Sequence, residues 1–133
     1  MYKLYLDDIR TPKDTYPHTT LGEWIIVRNY DEFVNVIEKL GLPFMVSFDH
    51  DLAHEHYRQS MYNPDRHYTN YYTDGTFKEK TGFEAAKWLV EYCMNHNLSL
   101  PKWNVHSANP IGAENIESYL LSYEKSTNEK TKL

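Results

Sequence analysis

Short apolar runs alternate with segments of helical period along this chain. Lys3 to Leu6 (KLYL) alternates and ends at Asp7-Asp8, which predicts a strand. Arg10 to Gly22 holds Pro12, Pro17 and several threonines and reads as a loop. Trp24 to Val27 (WIIV) is a second strand. Asp31 is placed to cap a helix in which Phe33, Val34, Val36, Ile37 and Leu40 share one face, with Gly41 as the stop. Pro43 opens a third strand, Phe44 to Phe48, which runs into Asp49-His50-Asp51. Thr81 and Glu84 have the spacing of a capping box, and the helix they start carries Ala85, Ala86, Trp88, Leu89, Tyr92 and Cys93. Trp103 to Val105 is a fourth strand ending at His106-Ser107. Ile111 to Tyr123 forms the last helix, with Ile116, Tyr119, Leu120 and Tyr123 on one face.

Strands alternating with helices predict a mostly parallel sheet. The expected fold is a single α/β domain of three layers, a Rossmann-like sheet of about four strands sandwiched by helices. It spans residues 1–124, with a polar insertion at 53–80 and a charged tail at 125–133 expected to fray. The insertion is long for a connection inside one domain. It holds His54, His56 and His67, two arginines and five tyrosines. It reads as a solvated loop or as a lid over substrate.

Open α/β sheets bind ligands at the carboxyl ends of their strands. Three of those ends here are chemically unusual: Asp7-Asp8, Asp49-His50-Asp51, and His106-Ser107 with Asn109. Parallel neighbours lie about 4.8 Å apart, so carboxylates on adjacent ends fall within reach of one cation. Gathered acids repel one another unless a cation or protons intervene. An oxygen-rich site suits Mg²⁺ or Mn²⁺. His50 and His106 are candidates for acid and base near neutral pH. Each cluster also has a plain reading. Asp8 fits an Asx turn before Arg10, and His106-Ser107 fits a cap on the last helix. Arg10 pairs with Asp8 or forms a planar fork on phosphate. Thr81 closes a capping box with Glu84, or Thr81 and Gly82 offer N–H groups to phosphate. Cys93, Trp24, Trp88 and Trp103 fall on packing positions.

Composition narrows the options. A formal net charge of -5 over 133 residues argues against an electrostatic grip on duplex DNA. A short RNA end or a nucleotide remains compatible, because a bound metal supplies positive charge locally. One cysteine rules out an internal disulfide and a Cys-based zinc cluster. With no apolar run near the roughly 18 residues of a membrane span, the expectation is a cytoplasmic protein with no membrane partner. Oligomeric state is not encoded in any pattern seen here. Aromatics make up 15% of residues and Tyr alone numbers 12, which fits half-buried faces or stacking on a base.

Together LDDIRTP at Leu6–Pro12, SFDHDL at Ser47–Leu52, TG at Thr81–Gly82 and HSANPIGAENI at His106–Ile116 resemble the cyclic-phosphate processing receiver-like family. These are stand-alone relatives of response-regulator receiver domains from bacteria and phages. The resemblance implies a receiver-like sandwich and a role in processing cyclic phosphates, including those at RNA ends. It matches Asp7 and Asp8 to an acidic metal pair and Asp49 to a phosphate-accepting aspartate. The chain departs from signalling receivers in ending its last strand with His106-Ser107 and no lysine, and in adding His50 and Asp51. Both departures favour hydrolysis over a phosphorelay. The resulting expectation is a metal-dependent phosphoesterase acting on a cyclic phosphate, a small phosphorylated nucleotide or an RNA end. Asp7, Asp8, Asp49 and Asp51 hold the cation in this reading. Asp49, His50 and His106 carry the chemistry, while Arg10, Thr81, Gly82, Ser107 and Asn109 bind substrate. The alternative is a receiver-like module that binds a nucleotide or a protein partner without turnover.

Overall fold

The computed structural model describes residues 2–17, 24–52 and 80–131. Four strands form one sheet: β1 (Lys3–Leu6), β2 (Trp24–Val27), β3 (Met45–Phe48) and β4 (Lys102–Val105). Their spatial order is β2-β1-β3-β4, and every pairing is parallel. The central strands β1 and β3 each bury their last three residues, whereas the edge strand β4 is exposed at alternate positions. The register aligns Leu6 with Val27 and Phe48, and Phe48 with Val105. The strands therefore end flush, and the residues after them share one rim. The chain crosses from one side of β1 to the other between β2 and β3, so the switch point lies between β1 and β3. Asp7 and Asp49 follow those two strands.

Among the described residues, three long helices pack on one face: α2 (Tyr30–Leu40), α3 (Gly82–Asn95) and α4 (Pro110–Thr131). Phe33 and Ile37 of α2, Ala85, Ala86, Leu89 and Cys93 of α3, and Ile116 and Leu120 of α4 meet Leu4, Leu6, Val46 and Phe48 in a single core. These positions follow the 3.6-residue period of helices and the alternation of strands. Cys93 is a core residue, and burial pushes its thiol up to about 11. The opposite face of the sheet is more polar. There Tyr5 bonds Thr15, and Ser47 bonds Tyr16, at the end of and just after the short helix α1 (Pro12–Thr15).

Several boundaries differ from the sequence pattern. The stretch read as a loop from Arg10 contains α1, closed by a capping box between Thr11 and Asp14 with Pro12 in its first turn. The α2 cap is Asn29, whose extended backbone lets its side chain accept from Glu32 N, so Asp31 lies inside the helix. Thr81 does cap α3, but its side chain makes no capping hydrogen bond and Glu84 closes no box. The segment from Glu124, expected to fray, continues α4 to Thr131, since no glycine or proline interrupts it. His54, His56, His67 and the loop tyrosines lie outside the described residues.

Candidate functional site

The three polar strand ends converge on the rim. The parallel ladder runs one residue past each strand: Asp7 N bonds Val27 O, Asp49 N bonds Leu6 O, and His106 N bonds Phe48 O. Beyond that point the chain curls, and the side chains turn inward. A cleft of about 330 Å³ opens there, lined by Asp7, Ile9, Arg10, Asp49, Asp51 and Ala108.

Asp7 is fully buried and organises the rim. Its Oδ1 accepts from the backbone N–H groups of Ile9 (2.9 Å) and Arg10 (2.8 Å). This makes Asp7, rather than Asp8, the residue of the Asx turn, because it is the first to leave the sheet. Its Oδ2 accepts from Arg10 Nε at 2.8 Å and lies 3.0 Å from His106 Nε2. Arg10 thus pairs with Asp7 and not with Asp8. Burial pushes the Asp7 carboxyl up, but the bonds from His106, Ile9 and Arg10 outweigh it and hold it well below the usual carboxylate range.

His106 sits behind Asp7 with only 2% of its side chain exposed. Its Nδ1 lies 2.7 Å from Ser47 Oγ, which meets the Tyr16 hydroxyl at 2.7 Å. Tyr16 in turn accepts from Asn104 Nδ2 and stacks on Trp24. The Tyr5 ring stacks on His106 at 4.4 Å. The imidazole is held on both nitrogens and one face, and it does not line the cleft.

Asp49 is 2% exposed and differently placed. Its Oδ1 accepts from His50 N at 2.9 Å and has a long 3.5 Å contact with Arg10 Nη2. Its Oδ2 is buried with no hydrogen-bond partner. Burial first, then the charge of Asp7, pushes its carboxyl up to about 8; Asp51 and Asp8 add to the rise and Arg10 opposes it. Asp51 also lines the cleft, with Oδ1 2.8 Å from His50 Nδ1 and 3.2 Å from Asn109 Nδ2. His50 is 1% exposed and lies under Asp51, its ring against Gly112.

The remaining expected ligands bond mainly to the protein itself. Asn109 Oδ1 accepts from Gly112 N and caps α4, and Ser107 Oγ accepts from Asn109 N. Gly82 donates its N–H to the His50 carbonyl at 2.8 Å, which takes up one of the amides expected for phosphate. A Cβ at Gly82 would overlap the Asp49 carbonyl oxygen, so glycine is required there for α3 to approach the rim. Thr81 Oγ1 is buried and unpartnered.

The residues fit a divalent cation. Asp7, Asp8 and Asp49 offer oxygens within 4.8 Å of one another, and Asp49 Oδ2 is an acceptor in want of a positive partner. The three are not equal. A carboxylate has about four acceptor sites, and four donors already surround Asp7. Asp49, whose Oδ2 is unpartnered, is better placed than Asp7 to take an ion, and Asp7 anchors the turn beside it. Arg28 completes that turn by donating from Nη1 to the carbonyls of Asp7 (3.0 Å) and Arg10 (2.6 Å). The sequence pattern did not single out Arg28, Ser47 or Tyr16. A serine inside the apolar run FMVSF was the available clue, since a buried hydroxyl needs a partner.

A family model described as the cyclic-phosphate processing receiver domain matches residues 2–122. The chain belongs to that family. All four polar motifs of this cyclic-phosphate processing receiver domain fall inside the match, and three of them lie on the rim just described. The all-parallel four-strand sheet agrees with a single receiver-like α/β domain. Membership supports a role in cyclic-phosphate processing. No curated protein and no solved structure matches the chain. Among the described residues, no helix is long and apolar enough to cross a membrane.

Proposed function

We propose that this receiver domain is a divalent-cation-dependent phosphoesterase for a cyclic phosphate, such as a 2′,3′-cyclic nucleotide or RNA end. The observation that carries the reading is Asp49 Oδ2, buried and unpartnered in a cleft where three carboxylates crowd. A group so placed requires a proton or a cation. Asp8 and Asp49 would hold the ion. Once bound, it would polarise a phosphoryl oxygen and lower the pKa of a water. Arg10, with 37% of its side chain exposed, has only the long contact to Asp49 and a 3.2 Å bond to the His106 carbonyl to give up at Nη2. It would turn that group toward a phosphate oxygen. Asp51 lines the cleft and is steadied by His50 and Asn109, so it would take the proton of the attacking water. The water oxygen would bond to phosphorus, one ring P–O bond would break, and the released ribose oxygen would take up the proton that Asp51 removed from the water. His106 fixes Asp7 in this scheme, and His50 fixes Asp51. Of the expected phosphate donors, Thr81 keeps an uncommitted hydroxyl.

Turnover of 2′,3′-cyclic nucleotides with Mg²⁺ or Mn²⁺ tests the proposal. The wild type should form the monoester, and Asp49→Asn should lower the rate by about 10²-fold or more. Equal rates would remove Asp49 from the chemistry. A second reading, a module that binds such a ligand without turnover, is favoured by the withdrawal of both imidazoles from the cleft lining. Saturable nucleotide binding with no product would select it.

A further inference from the structure

The face of the sheet turned away from the core carries a row of polar side chains. Register places Tyr5 beside Ser47 and Ser47 beside Asn104. Asp7 and His106 stand two residues beyond Tyr5 and Asn104, so alternation keeps them on the same side. We propose that Ser47 and Tyr16 are positioning residues for Arg10 and act on it through His106. The inference rests on the assignment of Arg10 to a phosphate oxygen in the proposed reaction.

The contacts form one chain. Asn104 Nδ2 donates to the Tyr16 hydroxyl at 2.7 Å, that hydroxyl lies 2.7 Å from Ser47 Oγ, and Ser47 Oγ lies 2.7 Å from His106 Nδ1. His106 Nε2 then reaches Asp7 Oδ2 at 3.0 Å, the same oxygen that accepts from Arg10 Nε. The His106 carbonyl accepts from Arg10 Nη2 at 3.2 Å. His106 therefore holds the guanidinium twice, through Asp7 and directly. Whatever fixes the imidazole fixes the fork.

Packing alone does not account for this row. Ser47 is fully buried in an otherwise apolar strand, where alanine or valine would avoid burying a hydroxyl. A serine side chain has three staggered positions, and the Tyr16 hydroxyl selects the one that faces His106. Rings hold the imidazole by a second route. Tyr5 stacks on it, Trp24 meets Tyr5 edge-on at 5.8 Å, and Tyr16 stacks on Trp24. Phenylalanine at position 16 keeps the rings and removes only the polar route.

The test uses Tyr16→Phe, Ser47→Ala and the two combined. Hydrogen exchange at Arg10 Nε–H, followed by NMR in the ligand-free chain and assigned by its loss in Arg10→Lys, reads the hold on the guanidinium. Each single variant should exchange about fivefold faster than the wild type. The double variant should match Ser47→Ala, because Tyr16 has no further effect once the chain is cut at Ser47. With a 2′,3′-cyclic nucleotide and Mg²⁺, Tyr16→Phe should raise KM about fivefold and leave kcat within about twofold. A merely structural loss would not separate these two constants. If the wild type forms no product, the phosphoesterase reading fails, and the exchange rates still decide the role of Ser47 and Tyr16. Wild-type exchange in both single variants, additive losses in the double variant, or a fall in kcat at unchanged KM overturns the proposal.

Discussion

Two aspartates on adjacent strand ends have opposite electrostatic fates. Asp7 is surrounded by donors and held below its ordinary value; Asp49 is buried beside it and raised to about 8. Their linkage to folding therefore has opposite signs. The contribution of Asp7 is present above pH 4 and is lost as pH falls toward its depressed value. That of Asp49 is fully present below its unfolded value of 3.8 and is lost as pH rises through about 8. Without divalent cations, thermal stability should therefore fall between about pH 5 and pH 8. Asp49→Asn should flatten that fall and raise stability at pH 8 by about 1–3 kcal/mol. Melting curves in EDTA across this range check it; a wild type and variant that decline in parallel would remove Asp49 as the cause. The acids themselves were legible in the sequence, because apolar runs ending in Asp-Asp and Asp-His-Asp are uncommon. Their inequality was not. It depends on which oxygen meets which donor, and those donors come from residues 39 and 99 positions away as well as from the local turn.

Between elements, contact distance is set by two glycines. Gly82 lets α3 approach the Asp49 backbone, and Gly112 lets α4 approach the His50 ring. Gly112→Ala meets a side chain and should cost about 1–3 kcal/mol, even though alanine favours helix. Gly82→Ala meets a backbone carbonyl that cannot swing aside, so it should cost more and displace Asp49. Urea denaturation of both variants gives the order, and the reverse order would contradict the stated obstruction. The long elements were readable from the sequence because their periodicity reflects burial: Phe33, Ile37, Leu89, Ile116 and Leu120 are all core. Short or unpatterned elements were not. Helix α1 has four residues and buries only Pro12, so it carries no period to detect. Beyond Glu124 the chain lacks an apolar stripe and is helical all the same, since glutamate and lysine favour helix.

For the whole molecule, cation binding at the rim should act as a staple on the native state alone. At a hundred times its dissociation constant, Mg²⁺ or Mn²⁺ should add about 2.7 kcal/mol. At this chain length that raises the melting temperature by roughly 5–10 °C. Asp49→Asn should abolish the rise, whereas Glu38→Gln should not, since Glu38 lies at the other end of the sheet. Differential scanning fluorimetry with and without the ion measures it. The receiver-like architecture explains why one position can govern so much: the switch between β1 and β3 gathers the acids where no strand continues.

The saturation of Asp7 has a consequence for how this rim can be dissected. Asparagine there would keep the shape but exchange one acceptor oxygen for an amide that donates. Placed at Oδ2, that amide would face the Arg10 guanidinium and the imidazole; placed at Oδ1, it would face two backbone N–H groups. No neutral isostere is tolerated in either orientation. An inactive Asp7 variant would thus report a collapsed turn and carry no information about ion binding, so mutational mapping of this rim has to begin at Asp8 and Asp49.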